Sequence, residues 1–238
     1  MSYTFNTRIG YHLVDSERKL ALPAMINLFQ DCGGFHGADC GYSNKTLADM
    51  GLAWIISSWQ VHINEMPQLD DYVEITTYPY KVKFCLASRY FALRSPEGKE
   101  YARANSLWVM MDMNKYAPVK IAKEIEDAYG PYENFYKDYD FGGRKIAHEG
   151  EMTAYPPIEV LSYMIDSNHH VNNEQYIKTA SLLLPEGFKP NNFRAEYTKQ
   201  AKMGDLLMPY VGKTEEGYQI SLCDADNEPY FTGEWTRK

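Results

Sequence analysis

The sequence predicts an α+β fold in which one plan, a helix followed by a run of antiparallel strands, occurs twice. Leu13-Val14-Asp15-Ser16 in the first half is similar to Met164-Ile165-Asp166-Ser167 in the second, and a helical pattern follows each segment. Strand-like runs broken by turn residues come after each helix. These observations predict a long antiparallel sheet wrapped around a central helix, built once in each half.

The two helices have start signals in the sequence. Proline is favoured at the first helical position, so the first helix is expected to begin near Pro23 and to end at Gly33-Gly34. In the second half, Asn172 and Gln175 have the spacing of a capping box, which predicts a helix that begins just after Asn172. The apolar face of the first helix consists of Met25, Leu28, Phe29 and Cys32.

Turn residues such as Ser95-Pro96-Glu97-Gly98 divide the rest of each half into strands. The strands are expected at residues 53–64, 72–80, 84–94 and 101–111 in the first half, and at residues 193–199, 206–213, 218–223 and 230–236 in the second. Residues 1–121 and 151–238 are therefore expected to be two domains. The charged, tyrosine-rich segment 122–150 is expected to connect them.

Composition narrows the class of protein. Apolar residues make up 45% of the chain and aromatic residues 14%, which are globular values. The net charge of −8 argues against a general nucleic-acid binder, and an acidic partner would need a local basic patch. The four cysteines form no CxxC pair, which is typical of reduced thiols in a cytosolic protein. No secretory leader or membrane-length apolar run is evident, so a cytoplasmic location is predicted.

A polar segment, Asp166-Ser167-Asn168-His169-His170-Val171-Asn172-Asn173, lies between apolar stretches. In an extended segment, residues two apart face the same way, so Asp166, Asn168 and His170 would converge on one point. Histidine is suited to proton transfer near neutral pH, a nearby carboxylate can orient it, and an amide can orient water. The alternative interpretation is a helix-capping turn with a surface histidine pair, because Asp and Asn favour caps and turns.

With this segment, the chain resembles the acyl-ACP thioesterases of plant plastids and bacteria over almost its full length. Asp166-x-Asn168-x-His170-Val171-Asn172-Asn173-x-x-Tyr176-Ile177 matches the family's most specific motif. Further matches are Trp59-x-Val61 with Pro67 and Asp70-Asp71, then 103–110 (RANSLWVM) and Glu196-Tyr197. The resemblance implies two tandem hot-dog domains, with an acyl-chain pocket in the first and the catalytic site in the second. It also implies hydrolysis of fatty acyl-[acyl carrier protein], which releases free fatty acid and ends chain elongation.

One departure from the family bears on mechanism. Where the plant enzymes carry a Glu-Cys pair, once interpreted as part of a papain-like nucleophile system, this chain has Gln200-Ala201. Alanine has no thiol and glutamine cannot act as a base, so covalent catalysis through cysteine is excluded at this point. Attack by water is therefore the expected mechanism, since a thiolate leaves without strong acid catalysis.

The resemblance implies a role for each candidate residue. His170 would take a proton from water, Asp166 would orient its imidazole, Asn168 would position the water or the carbonyl, and Gln200 would help to hold the water. The backbone N–H groups of Val171 and Asn172 are expected to bind the oxyanion. The first half lacks an Asn and a His at the required offsets from Asp15, so it is expected to be catalytically empty.

Two further sets of residues follow from the resemblance. The expected acyl-chain pocket is lined by Met25, Leu28, Phe29, Trp54, Ile56 and Trp108, each of which is alternatively an ordinary core residue. The expected docking surface for acidic acyl carrier protein consists of Lys178, Lys189, Arg194, Lys199 and Lys202, which are alternatively a solvated face.

Other functions stay open at this stage. An acyl-CoA thioesterase, a hot-dog dehydratase or hydratase, and a non-catalytic acyl-binding protein all fit parts of the pattern. No cofactor or metal is predicted, because phosphate-cradling glycine loops and metal-ligand clusters are missing from the sequence. No nucleic acid or membrane-spanning segment is expected, and a homodimer is an open alternative. Glu196 is interpreted as structural, and His36 and His62 as core or edge histidines with satisfied hydrogen bonds.

Overall fold

The computed structural model describes residues 2–131, 139–147 and 150–237, and its contacts divide the chain into two units. The first unit contains Met1–Ser57 and Ile63–Phe141, and the second contains Ser58–His62 and Gly142–Lys238. The boundary between Phe141 and Gly142 falls inside the segment that was expected to be a connector. The domain limits at residues 121 and 151 stay a prediction.

The first unit is an antiparallel sheet packed against one long helix. Its strands are β1 (Tyr3–Arg8), β2 (Leu52–Ile63), β3 (Tyr72–Lys83), β4 (Leu86–Arg94), β5 (Glu100–Asp112) and the short β6 (Ala117–Pro118). The order in the sheet is β1-β3-β4-β5-β2, and β6 pairs with β5. The helices are α1 (Leu22–Asp39), α2 (Asn44–Asp49) and α3 (Lys123–Ala128). On α1, Phe29 stacks on Phe91 of β4 with ring centroids 5.2 Å apart.

The predicted end of the first helix is wrong. α1 has Pro23 in its first turn, as expected, but it continues through Gly33-Gly34 to Asp39. A glycine ends a helix by adopting a left-handed conformation, and neither Gly33 nor Gly34 has a positive φ. Gly41, just after the C-cap Cys40, has a φ of 85° and is the residue that allows the chain to leave the helix.

Residues 123–129 belong to the core of the first unit, although the sequence placed them in the connector. Ile125 of α3 and the following Tyr129 are buried in one cluster with Leu47, Met110 and Ile121. The burial of these apolar side chains explains why the segment is ordered here.

The second unit repeats the plan with a shorter helix. Its strands are β7 (Met152–Ala154), β8 (Ile158–Glu159), β9 (Asn192–Tyr197), β10 (Leu206–Lys213), β11 (Gly217–Cys223) and β12 (Pro229–Thr236). Residues 58–62 pair antiparallel with β9, and the order continues β12-β11-β10-β7, with β8 also on β10. Helix α4 (Asn173–Ser181) packs on β11 and β12, where Tyr176 stacks on Phe231 at 5.9 Å. The predicted strands of both halves are confirmed to within a few residues.

Among the described residues, no helix is long and apolar enough to cross a lipid bilayer.

Candidate active site

The motif segment of the second unit is a tight turn, so the prediction of an extended segment is wrong. The N–H of Asp166 donates to the carbonyl of His170 at 2.8 Å, and the N–H of His169 donates to the carbonyl of Asp166 at 3.1 Å. His169 has a φ of 62°, and Ile165 and Val171 pair as an antiparallel bridge on either side of the turn. The alternation of side chains in a strand therefore does not apply to Asp166, Asn168 and His170.

The carboxylate of Asp166 holds this turn together. Its Oδ1 accepts the N–H of Asn168 at 2.7 Å and, more weakly, the N–H of His170 at 3.4 Å. This is the Asx-turn arrangement, in which an Asp side chain binds the backbone amides that follow it. No hydrogen bond joins the carboxylate to the imidazole of His170 in the described part of the chain. The expected contact between these two side chains is thus not made here.

The last three side chains of the turn differ in exposure. Asn168 and His169 are exposed, whereas His170 is half-buried. The Nδ1 atom of His170 is shielded from solvent and has no hydrogen-bond partner among the residues that the structure describes. His170 is therefore the member of the turn with a polar atom that is buried and unsatisfied, a situation that proteins seldom tolerate away from functional sites.

The backbone amides expected to form an oxyanion hole are already engaged. The N–H of Val171 donates to the carbonyl of Ala201 at 2.9 Å, and the N–H of Asn172 donates to the carbonyl of Met164 at 2.9 Å. Neither amide is free to bind a substrate oxygen in this structure, so that assignment is wrong. The fold uses both amides to fasten the motif to the surrounding backbone.

Helix α4 begins where the sequence predicts, but only one of the two hydrogen bonds of the expected capping box is made. The side chain of Asn172 accepts the N–H of Glu174 at 3.1 Å, which satisfies one of the free amides of the first turn. The side chain of Gln175 does not accept the N–H of Asn172, because that N–H donates to the carbonyl of Met164. Nε2 of Gln175 donates instead to Oε2 of Glu174 at 2.7 Å.

Gln200 and Ala201 lie beside the motif. The backbone N–H of Ala201 donates to the hydroxyl of Tyr176 at 2.8 Å, while its carbonyl accepts from Val171. Ala201 is fully buried and Gln200 is exposed. Gln200 directly precedes Ala201, and His170 directly precedes Val171. Because a backbone hydrogen bond joins Val171 to Ala201, Gln200 and His170 lie in neighbouring segments. Glu196, by contrast, accepts the N–H of Ile146 at 3.0 Å and serves the local structure.

Glu174 is a feature of this region that sequence reasoning missed. Its side chain is 8% exposed, and burial raises the pKa of its carboxyl group, partly offset by nearby Lys178. Glu174 comes three residues before the buried Ile177 on α4, so helical spacing could have indicated that it faces inward. The adjoining Tyr197 donates its hydroxyl to the carbonyl of Asn173 at 3.1 Å.

The five predicted docking cations are not equivalent. Arg194 is paired with Glu234, to which its Nε donates at 2.8 Å, and it also donates to the carbonyl of Gly143. Lys199 is paired with Asp224. Lys178 and Lys202 are exposed and form no ion pair with any residue in the described ranges. Lys189 is also exposed.

The residues expected to line an acyl pocket all belong to the first unit. Met25, Leu28, Phe29 and Ile56 are buried, and Trp54 and Trp108 are half-buried. The indole N–H of Trp108 donates to the hydroxyl of Ser106 at 2.8 Å. Their burial fits both a pocket lining and an ordinary core, so the lining role stays a prediction.

An antiparallel sheet around a helix, built twice in one chain, defines the double hot-dog class of folds. The acyl-ACP thioesterase N-terminal domain family matches residues 1–129. The chain belongs to the acyl-ACP thioesterase family.

Known proteins resemble the chain at low identity. It is 23% identical over 235 residues to oleoyl-acyl carrier protein thioesterase 1 of Arabidopsis thaliana, covering 91% of this chain and 65% of that protein. It is also 23% identical to an oleoyl-acyl carrier protein thioesterase of Coriandrum sativum, covering 74% of this chain and 52% of the relative. The chain thus spans about half to two thirds of these relatives' length. The crystal structure of a putative oleoyl thioesterase from Lactobacillus plantarum has a TM-score of 0.86 and 22% identity, covering 100% of this chain and 97% of that one.

Proposed function

We propose that this protein hydrolyses the thioester of a fatty acyl chain carried on acyl carrier protein and releases the free fatty acid. Family membership supports the reaction class, and the names of the relatives support the carrier. The release of fatty acid would end chain elongation in fatty acid biosynthesis. A cytoplasmic location remains a prediction, since the curated plant relatives are chloroplastic by name.

The observation that carries the mechanism is the state of His170. Its half-buried imidazole lies at the end of the turn that the Asp166 carboxylate holds, and its buried Nδ1 has no hydrogen-bond partner in the described part of the chain. In the proposed reaction, His170 removes a proton from water as the water oxygen bonds to the thioester carbon. The carbon–sulfur bond then breaks, and the thiolate of the carrier leaves and takes up a proton. A positioned general base of this kind contributes about 10²–10⁴-fold to rate.

The other polar residues have supporting roles in this proposal. Asn168 projects from the turn into solvent, where its amide can orient the water or the thioester carbonyl. Gln200, in the neighbouring segment, offers a second amide to the same water. Asp166 acts as a positioning residue, because its carboxylate binds the amides of the turn rather than the imidazole.

Substrate recognition would involve both units. An acyl chain gains about 0.8 kcal/mol for each CH₂ removed from water, so an apolar slot in the first unit would supply much of the binding free energy. The acidic carrier would be attracted by exposed cations of the second unit, chiefly Lys178 and Lys202.

The proposal is tested by thiol release from acyl-ACP. We expect His170→Ala to lower kcat by more than about a hundredfold, as the loss of a general base requires. His169→Asn is the matched control, because asparagine tolerates the positive φ at this position and His169 is exposed. A His170→Ala enzyme that retains more than a tenth of the wild-type rate would refute the role of His170. Parallel assays with acyl-CoA separate the two possible carriers.

A further inference from the structure

The first unit contains a buried arginine that has no acidic partner among the described residues. Arg89 of β4 is 8% exposed, and no Asp or Glu among the described residues forms an ion pair with it. The two acids of the facing helix α1, Asp31 and Asp39, are exposed. A guanidinium remains charged at any working pH, and an uncompensated buried charge is costly to the folded state.

The neighbours of Arg89 are neutral. Its Nη1 contacts Nδ1 of His36 at 3.1 Å and donates to the hydroxyl of Thr77 at 3.2 Å, and its guanidinium lies 5.3 Å from the ring centroid of Tyr129. The aromatic face offsets part of the charge. The Nε and Nη2 atoms donate to no described residue, so most N–H groups of the guanidinium have no acceptor within the part of the chain that the structure describes.

His36 adds a second unsatisfied donor to this cluster. The histidine is 3% exposed, and burial together with the charge of Arg89 lowers its pKa to about 3, so the ring is neutral. Because Nδ1 accepts from Arg89, the proton lies on Nε2, which is buried and has no hydrogen-bond partner in the described ranges. His36 was expected to be a core or edge histidine with satisfied hydrogen bonds; it is a core histidine, but only its Nδ1 is bonded among the described residues.

We propose that Arg89 and His36 form a binding site in the first unit for the carboxylate of an alkyl carboxylic acid. Thr77 is a positioning residue of this site, because its hydroxyl donates to the carbonyl of Tyr90 at 2.8 Å and accepts from Nη1 of Arg89. The polar groups present a cation and hydrogen-bond donors, which a carboxylate complements with charge and lone pairs. Aromatic side chains flank the cluster: Phe91 stacks on Phe29, and the ring of Tyr129 meets that of His36 edge-on, with ring centroids 5.1 Å apart. An anion carried on an apolar chain fits this setting better than an inorganic anion does.

Two molecules present this chemistry. One is a free fatty acid, and the other is an acyl thioester whose far end bears a second carboxylate. The site lies apart in sequence from His170 and its turn, so it goes beyond the proposed hydrolysis and can be tested without turnover.

Ligand binding to the intact protein tests the site. We expect decanoate to bind at least tenfold more tightly than methyl decanoate, followed by the fluorescence of the tryptophans and by thermal shift. The monomethyl ester of decanedioic acid, which keeps one carboxylate and mimics the thioester at its other end, distinguishes the sources. Tighter binding of this monoester than of decanoate favours a dicarboxylic acyl chain, and the reverse favours free fatty acid. Equal binding of decanoate and methyl decanoate to the wild type would overturn the proposal.

Variants separate binding from a structural role. Arg89→Met is expected to bring the ratio of acid to ester affinity to about one and to raise the Tm of the unliganded protein, because an uncompensated charge is removed. Thr77→Val keeps the arginine but removes the hydroxyl that holds its Nη1, so it is expected to weaken carboxylate binding severalfold. Arg94→Met, at a paired arginine on the same strand, is expected to leave the ratio unchanged. A fall in Tm for Arg89→Met together with an unchanged ratio would show that Arg89 is purely structural.

Discussion

Asp15 and Asp166 make the same hydrogen bonds in their respective units. Oδ1 of Asp15 accepts the N–H groups of Glu17 and Lys19 at 2.9 and 3.0 Å. In the same way, Oδ1 of Asp166 accepts the N–H groups of Asn168 and His170 at 2.7 and 3.4 Å. The backbone N–H of each Asp donates to the carbonyl four residues later at 2.8 Å. The two turns are therefore one structural element that occurs twice.

The repetition extends to the backbone around each turn. Arg18 and His169, at equivalent positions, both have a φ of 62°. Leu20 donates to the carbonyl of Pro67 at 2.8 Å, as Val171 does to that of Ala201 at 2.9 Å. Since the first turn lacks the histidine of the second, the common function of the aspartate is to hold the backbone.

This equivalence predicts how Asp166 variants behave. Asp166→Asn keeps an oxygen that accepts the two amides, so we expect less than about a tenfold loss of kcat on acyl-ACP. Asp166→Ala leaves the two amides without an acceptor. Such a loss lowers the free energy of unfolding by about 1–3 kcal/mol in a buried setting and by less at this half-buried turn. Because the turn is no longer held, we expect a much larger loss of kcat than for Asp166→Asn. A large loss for Asp166→Asn with normal stability would instead show that the negative charge acts on the imidazole.

Asp15 offers the matched control. Asp15→Ala should destabilise the first turn by a similar free energy of unfolding, measured by urea denaturation, with little change in kcat. Loss of hydrolysis in this variant at full folding would contradict the separation of the two turns.

The sequence was sufficient to find the repeated element but not its conformation. The similarity of 13–16 to 164–167 correctly identified equivalent segments. The prediction that Asp166, Asn168 and His170 share a face assumed an extended backbone, and the Asp side chain competes with that conformation by binding the following amides. The alternative interpretation, a helix-capping turn rich in Asp and Asn, describes the backbone better.

Features that depend on packing partners could not be predicted from spacing. Gly33-Gly34 has the composition of a helix stop, yet α1 continues to Asp39 because these glycines remain in the helical conformation. The burial of Arg89 depends on residues of α1, β3 and the segment after α3 that are distant in sequence. Local patterns carry no information about such contacts.

Tyr176 is expected to contribute to stability through its hydroxyl. It is 1% exposed and accepts the N–H of Ala201 at 2.8 Å. Tyr176→Phe leaves that buried N–H unpaired, which should lower the free energy of unfolding by about 1–3 kcal/mol in urea denaturation. Tyr197→Phe is the matched control. It removes the hydroxyl that donates to the carbonyl of Asn173 in α4, and it should lower the free energy of unfolding by less. An equal or smaller loss for Tyr176→Phe would show that the Ala201 amide finds another partner.

The exposed lysines predict a salt dependence. If Lys178 and Lys202 attract the acidic carrier, kcat/KM on acyl-ACP should fall as ionic strength rises, because salt screens exposed charges. The double variant Lys178→Ala/Lys202→Ala should flatten this dependence. Lys199→Ala should change it little, since Lys199 is already paired with Asp224. A rate on acyl-ACP that does not respond to salt would remove the role of these lysines.

Glu174 predicts a pH dependence of stability in the second unit. Burial raises the pKa of its carboxyl above the ordinary value of 4.5, so in the window above 4.5 the folded state binds more protons than the unfolded state. Stability contributed by this group is therefore lost as pH rises through the window. Glu174→Gln stays neutral and can still accept from Gln175, so it should match the wild type near pH 4 and become progressively more stable relative to it toward pH 7. Urea denaturation between pH 4 and pH 8 measures the difference, with exposed Glu186→Gln as the control. A Glu174→Gln protein that loses relative stability as pH rises would show that the ionised carboxylate has a stabilising partner strong enough to overcome its burial.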